Sequence, residues 1–205
     1  MPLLMKHAGP SWGIWKIEES SGALFSLLRN GEEYLPQLES IRTEPRRREW
    51  LASRVLLQEL AGGPVRIAYR PNGAPYLSDS SLHVSISHTK GYAAVLLQDR
   101  PAAGIDIEYR SARVLKIRRR FMNPEEEAAI DKGHETEHLL LHWCAKETLF
   151  KMVGQEGVDF LCHLHVRPFP YAEEGSFTVF ETRTEEGSVF RLNYLVTPDF
   201  VLTRS

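Results

Sequence analysis

Asp106 and Glu108 lie two residues apart in the apolar string Gly104-Ile105-Asp106-Ile107-Glu108. An extended strand points residues i and i+2 to the same face, so the two carboxylates stand side by side. Adjacent like charges call for a counter-charge. A hard divalent cation such as Mg2+ supplies one, because it prefers oxygen ligands and binds through one or two carboxylates plus substrate phosphates. The plainer account is an alternating strand with a solvated outer face. A second string, Trp143-Cys144-Ala145-Lys146-Glu147-Thr148-Leu149-Phe150-Lys151, sets Glu147 and Lys151 one helical turn apart. As a surface ion pair they would contribute only ~0.3–0.5 kcal/mol. As chemistry, Glu147 is a third metal ligand or a base, and Lys151 a positive charge for phosphate oxygens. A third string, Val84-Ser85-Ile86-Ser87-His88-Thr89 followed by Lys90-Gly91, ends a strand in hydroxyls, exposed amides and an imidazole. That combination suits an anion, although a lone His at a strand end also serves structure or surface.

The elements that must position these residues are legible from pattern and punctuation. Trp12–Ile17 reads as a strand, and 24–41 as short helices broken at Asn30-Gly31 and Pro36. Arg46–Leu60 reads as a helix, with Pro45 near its start and Gly62-Gly63 at its end. Strands are expected at Val65–Tyr69, His83–Ser87, Tyr92–Gln98 and Gly104–Glu108, with turns at Pro71-Asn72-Gly73 and Asp99-Arg100-Pro101. Helices follow at Ala112–Met122, from Pro124 to Ile130, and from about Thr136 to Val153, where Gly154 stops the last. Val158–Val166, Ser176–Thr182, Ser188–Val196 and Asp199–Thr203 complete the strands. The expected fold is α+β, built from two α/β-type halves, 1–102 and 103–205.

Composition bounds the function. With 25 Lys+Arg against 27 Asp+Glu the net charge of −2 gives no global basic excess, which argues against general nucleic-acid binding. Two cysteines, Cys144 and Cys162, are too few for a disulfide framework or a four-cysteine zinc site and are expected as reduced thiols. The longest apolar runs fall far short of the ~20 residues that cross a bilayer, and Met1–Pro10 lacks a signal-peptide core, so the expected setting is the cytoplasm.

In this order and with these gaps, Ser87-His88, Gly104–Glu108 and Trp143–Lys151 together resemble the signature of the 4′-phosphopantetheinyl transferases, from Trp12 to about Val166. A full half-domain before Gly104 is similar to the long, pseudo-dimeric type that activates peptide synthetases. The resemblance implies a pseudo-twofold pair of similar halves with coenzyme A in the cleft between them, acting as a monomer. It implies Mg2+-dependent transfer of 4′-phosphopantetheine to a serine of an apo-carrier protein, with release of 3′,5′-ADP. Asp106, Glu108 and Glu147 would hold the metal. Glu147 and Lys151 would be catalytic, and Asp106 and Lys151 would also face the coenzyme. Arg48, Arg54, Gly73, Pro75, Ser87, His88 and Thr89 would contact coenzyme A. The family's Gly-Lys-Pro reads Gly73-Ala74-Pro75 here, so a coenzyme-binding lysine is missing, and either Arg70 or Arg47 supplies the charge or coenzyme affinity is lower.

Between Tyr109 and Pro124 lie Arg110, Arg113, Lys116, Arg118, Arg119 and Arg120 with no acidic residue. Arg113, Lys116 and Arg120 would share a helix face opposite Val114, Ile117 and Phe121. Given the resemblance, this patch suits an acidic carrier protein better than nucleic acid. A rival motif, His134-Glu135-Thr136-Glu137-His138, matches the H-E-x-x-H of zinc metalloproteases, but Asp131-Lys132-Gly133 puts the first His at a helix start. His142 and Cys162-His163-Leu164-His165 are read as non-functional. A non-enzymatic alternative is a coenzyme A or carrier-binding module that has lost turnover, against which the retained carboxylates and Lys151 count.

Overall fold

In the N-terminal unit, Met1–Pro101, four strands form one antiparallel sheet in the order β1 (Leu3–His7), β2 (Ser11–Lys16), β6 (Tyr92–Gln98), β5 (His83–Thr89). The computed structural model describes residues 3–7 and 11–205. Between β2 and β5 come α1 (Ser21–Leu27), α2 (Leu35–Ser40), α3 (Glu44–Ala61) and a small hairpin of β3 (Ile67–Tyr69) with β4 (Pro75–Leu77). Pro45 opens α3, where a missing N–H costs nothing, and Gly62 ends it at φ 76°. Leu51, Ala52, Val55, Leu56 and Leu57 of α3 pack with Trp15, Ala93, Val95 and Leu97 of the sheet to form this unit's core. Gly73 turns the β3–β4 hairpin at φ 81°, a conformation that favours glycine.

The C-terminal unit, Ala102–Ser205, carries a five-stranded antiparallel sheet ordered β7 (Ile105–Tyr109), β11 (Phe200–Arg204), β10 (Val189–Val196), β9 (Glu174–Glu181), β8 (Leu164–Val166). Before β8 the chain forms α4 (Arg113–Ile117), α5 (Pro124–Ala128) and α6 (Glu135–Val153). Buried Leu139, Leu141, Cys144, Ala145 and Leu149 of α6 meet Phe177, Val179, Leu192 and Val201 of the sheet. The fold is α+β, and among the described residues every strand pairing is antiparallel where the alternating order of elements pointed to α/β-type halves. No helix of the described residues is long and apolar enough to cross a membrane. Cys144 is a buried free thiol and Cys162 an exposed one.

Two expected elements are less than half as long as their sequence pattern. Helix 112–122 stops at Ile117 and tightens into a 3-10 turn over Arg118–Arg120. Arg118 reaches both Glu127 and Glu135, and the chain then turns so that Phe121 and Met122 enter the core. The strand expected over 158–166 is confined to Leu164–Val166, because Asp159 accepts from the amides of Leu161 and Cys162 and holds the preceding residues in a turn.

Gly104 explains the start of the carboxylate strand. A Cβ there would lie 2.5 Å from Met152 Cγ and 2.8 Å from the Thr148 carbonyl oxygen on α6, so only a glycine lets β7 approach the helix so closely. Gly104→Ala is expected to cost about 1–3 kcal/mol and lower the Tm by several degrees in a thermal melt. A variant melting with the native protein would refute this close-packing account.

Candidate functional site

In the C-terminal unit, β7 pairs antiparallel with β11, and Asp106 lies opposite Thr203 and Glu108 opposite Val201. Alternation along the strand puts both carboxylates on one face while Ile105 and Ile107 are fully buried. Helix α6 crosses this strand. Trp143, Glu147 and Lys151 follow one another at four-residue intervals on it, which stacks them on one helix face.

These residues interact. Lys151 Nζ donates to Asp106 Oδ1 at 2.7 Å and to the Ile105 carbonyl at 2.9 Å, so this lysine bridges the helix to the strand. The i,i+4 ion pair with Glu147 is not formed, because the buried Asp106 offers Lys151 a drier partner. Trp143 Nε1 donates to Glu108 Oε1 at 2.8 Å. Glu147 is half-buried, and its carboxyl is pushed from 4.5 to about 7, first by burial and then by the Asp106 charge, with Lys151 opposing. Glu108 is raised to about 7 for the same two reasons, against the Trp143 hydrogen bond and the fields of Lys151 and Arg113.

Among the described residues no group of three or more His, Cys, Asp or Glu is assembled as a metal cage. The donor set nevertheless fits a hard divalent cation. Burial and then the Asp106 charge raise the proton affinity of Glu147 and Glu108, and a cation among the three carboxylates would relieve what Lys151 alone only partly offsets. Arg113 and Lys116 are exposed on α4, and Arg119 and Arg120 on the turn after it. Arg118, paired to Glu127 and Glu135, and Arg110, bonded to Glu137, are engaged within the fold. Of these basic residues, Arg113 acts electrostatically on Glu108 and lowers its proton affinity.

The N-terminal unit holds its own constellation. His88 of β5 faces α3, with Nδ1 3.2 Å from Glu49 Oε2 and its ring against the Arg46 guanidinium, which also lies 3.6 Å from Glu49. Ser87 is buried beside it on β5. Arg46 and Glu49 were missed by sequence reasoning. Their i,i+3 spacing in the first turns of a helix was the available signal, but nothing in the sequence tied it to β5. Arg48 donates to the Ile17 carbonyl at 2.9 Å. Arg54 is turned inward at 4% exposure, its guanidinium 3.7 Å above the Trp50 ring and bonded to Tyr69. Gly73 and Pro75 sit at the β3–β4 turn. Arg47 donates to the Ile41 carbonyl, and Arg70 lies 5.2 Å over Tyr76.

The zinc-protease motif does not assemble. His134 precedes α6, is exposed and stacks on Tyr171. His138 Nδ1 accepts from the Asp131 amide at 3.0 Å while the residue is buried against Phe169. The two imidazoles therefore have different tasks, and neither is offered to a shared ion.

Residues 102–203 match the family model described as the 4′-phosphopantetheinyl transferase superfamily. 4′-Phosphopantetheinyl transferase AcpT of Escherichia coli, in strains O157:H7 and K12, is 30% identical over 116 residues, which is 54% of this chain and 60% of that protein. A Haemophilus influenzae protein named as a candidate of the same class is 31% identical over 107 residues, 48% of this chain and 43% of that protein. The chain thus spans about half the length of the curated relatives it matches.

Proposed function

Since the chain belongs, through residues 102–203, to the 4′-phosphopantetheinyl transferase superfamily, we propose that it transfers 4′-phosphopantetheine from coenzyme A to a serine of an apo-carrier protein. The observation that carries this reading is the cluster of Asp106, Glu108, Glu147 and Lys151, drawn from β7 and α6 within the matched region.

Asp106, Glu108 and Glu147 are the residues that would hold Mg2+, which when bound neutralises charge on a pyrophosphate. Glu147, a carboxylate whose proton affinity is raised toward neutrality, accepts the proton of the serine hydroxyl. The serine oxygen forms its bond to the β-phosphorus as the bond to the departing 3′,5′-ADP breaks. Lys151 holds Asp106 in place and offers its ammonium to the phosphate oxygens. In the N-terminal unit, Arg48, Ser87, His88 and Thr89 are the proposed coenzyme A contacts, joined by Arg46 through its contact with His88. Gly73 and Pro75 contribute a backbone turn, and Ala74 leaves that turn without the family's lysine. We take the setting to be the cytoplasm and the enzyme to be a monomer that serves neither nucleic acid nor membrane; two cysteines without a disulfide fit a reducing compartment.

The direct test incubates the protein with coenzyme A, Mg2+ and a panel of apo-carrier proteins. A mass gain on the carrier serine with release of 3′,5′-ADP supports the reading; a panel left unmodified overturns it. Exposed Arg113, Lys116 and Arg120 are the proposed docking surface for the acidic carrier. Reversing these three charges is expected to slow carrier association at least about tenfold and to flatten its dependence on ionic strength, as stopped-flow measurements would read. An unaltered salt dependence would remove the patch from the docking account.

A further inference from the structure

Resting on the carboxylate site just proposed, we propose that Trp143 is the positioning residue for Glu108, aiming one of its oxygens and leaving the other for the metal ion. The indole N–H donates to Glu108 Oε1 at 2.8 Å, a bond between α6 and the carboxylate strand. Indole is a donor only and cannot compete with a carboxylate for a cation. The ring is itself fixed. Phe121 meets it edge-on at 5.2 Å and 66°, and Phe160 lies 5.4 Å away.

Both phenylalanines are held by one buried ammonium. Lys146 Nζ donates to the carbonyls of Phe121 and of Phe160, the latter at 3.1 Å, and to Glu126 Oε2 at 2.8 Å. Glu126 in turn accepts from the amides of Asn123 and Val166. Lys146 and Glu126 are 0% and 1% exposed, so this pair is a fixed post inside the unit rather than a surface tether. A packed indole N–H needs an acceptor, and here that acceptor is a carboxylate of the proposed site; a Glu108 without a donor would be free to rotate away from the ion. Outer-layer partners of this kind typically govern metal affinity by about 10–100-fold.

The test measures Mn2+ affinity by electron paramagnetic resonance in the wild type, in Trp143→Phe, and in Trp143→benzothienylalanine, an isostere that replaces only the N–H with sulfur. Both variants are expected to bind Mn2+ at least about tenfold more weakly. In carrier assays kcat at fixed metal should fall with KM for the carrier unchanged. Equal Mn2+ affinity in the wild type and the isostere overturns the positioning role alone. A wild type that binds no Mn2+ overturns the carboxylate reading and this proposal with it.

Discussion

Glu147→Gln is expected to abolish transfer and yet, at pH 8 without divalent cation, to raise the melting temperature. Glu147 titrates near 7 in the folded protein, against 4.5 ordinarily, because burial and then the Asp106 charge disfavour its ionised form. An acid with a raised folded-state pKa binds its proton more tightly folded than unfolded. Its favourable contribution is therefore complete below about pH 4.5 and lost as pH rises through about 7. Glu108 follows the same course, so the metal-free wild type should lose stability across that window.

Glutamine keeps the shape and removes the charge. The variant should gain on the order of 1 kcal/mol at pH 8, about 2–4 °C in Tm, and show little gain at pH 4. Added Mg2+ should stabilise the wild type at pH 8 and the variant much less. Turnover should fall at least about a thousandfold, because the variant lacks both a charged ligand and the base. Asp106→Ala is expected to be as inactive while remaining folded, since it removes the partner of Lys151 along with a ligand. Calorimetry at the two pH values and mass spectrometry of the carrier read these effects together. Retained turnover, or a lowered Tm for Glu147→Gln at pH 8, would contradict the assignment.

Lys146→Met should be the most damaging single change to folding. It leaves Glu126 inside the unit, 1% exposed, with its ion-pair partner gone, and frees the carbonyls of Phe121 and Phe160. Removing one member of a buried pair costs about 3–5 kcal/mol, whereas replacing both with apolar residues of similar volume is often neutral. Chemical denaturation should therefore show Lys146→Met strongly destabilised and Lys146→Met/Glu126→Leu recovered only in part, because the amides of Asn123 and Val166 lose the Glu126 oxygens. The double variant would still lack the donor that fixes Phe121 and Phe160 around Trp143. Equal stability of the single and double variants would show that Glu126 finds another partner.

The α+β character and the main elements were legible because the relevant signals are local. Pro45 and Gly62 bracket α3, and Gly154, at φ 63°, ends α6. The alternation of Ile105, Asp106, Ile107 and Glu108 marks a strand with two carboxylates on one face. The same local logic overextended α4, since apolar spacing does not reveal that Arg118 will be drawn to Glu127 and Glu135. It also left Lys146 as an ordinary helix residue and did not reveal that Arg54 turns inward against Trp50, because burial is not written in a residue's type.

What the sequence by itself determined is which side chains share a face, for that follows from the two-residue repeat of a strand and the 3.6-residue repeat of a helix. What only the tertiary structure decided is which partner each charged group takes. Lys151 passes over Glu147, four residues away, for Asp106 at a separation of 45, and Trp143 reaches Glu108 across 35. Lys146 finds Glu126 across 20. The reason is desolvation: a charge bonds most strongly where water has been excluded, and packing of distant segments creates those places.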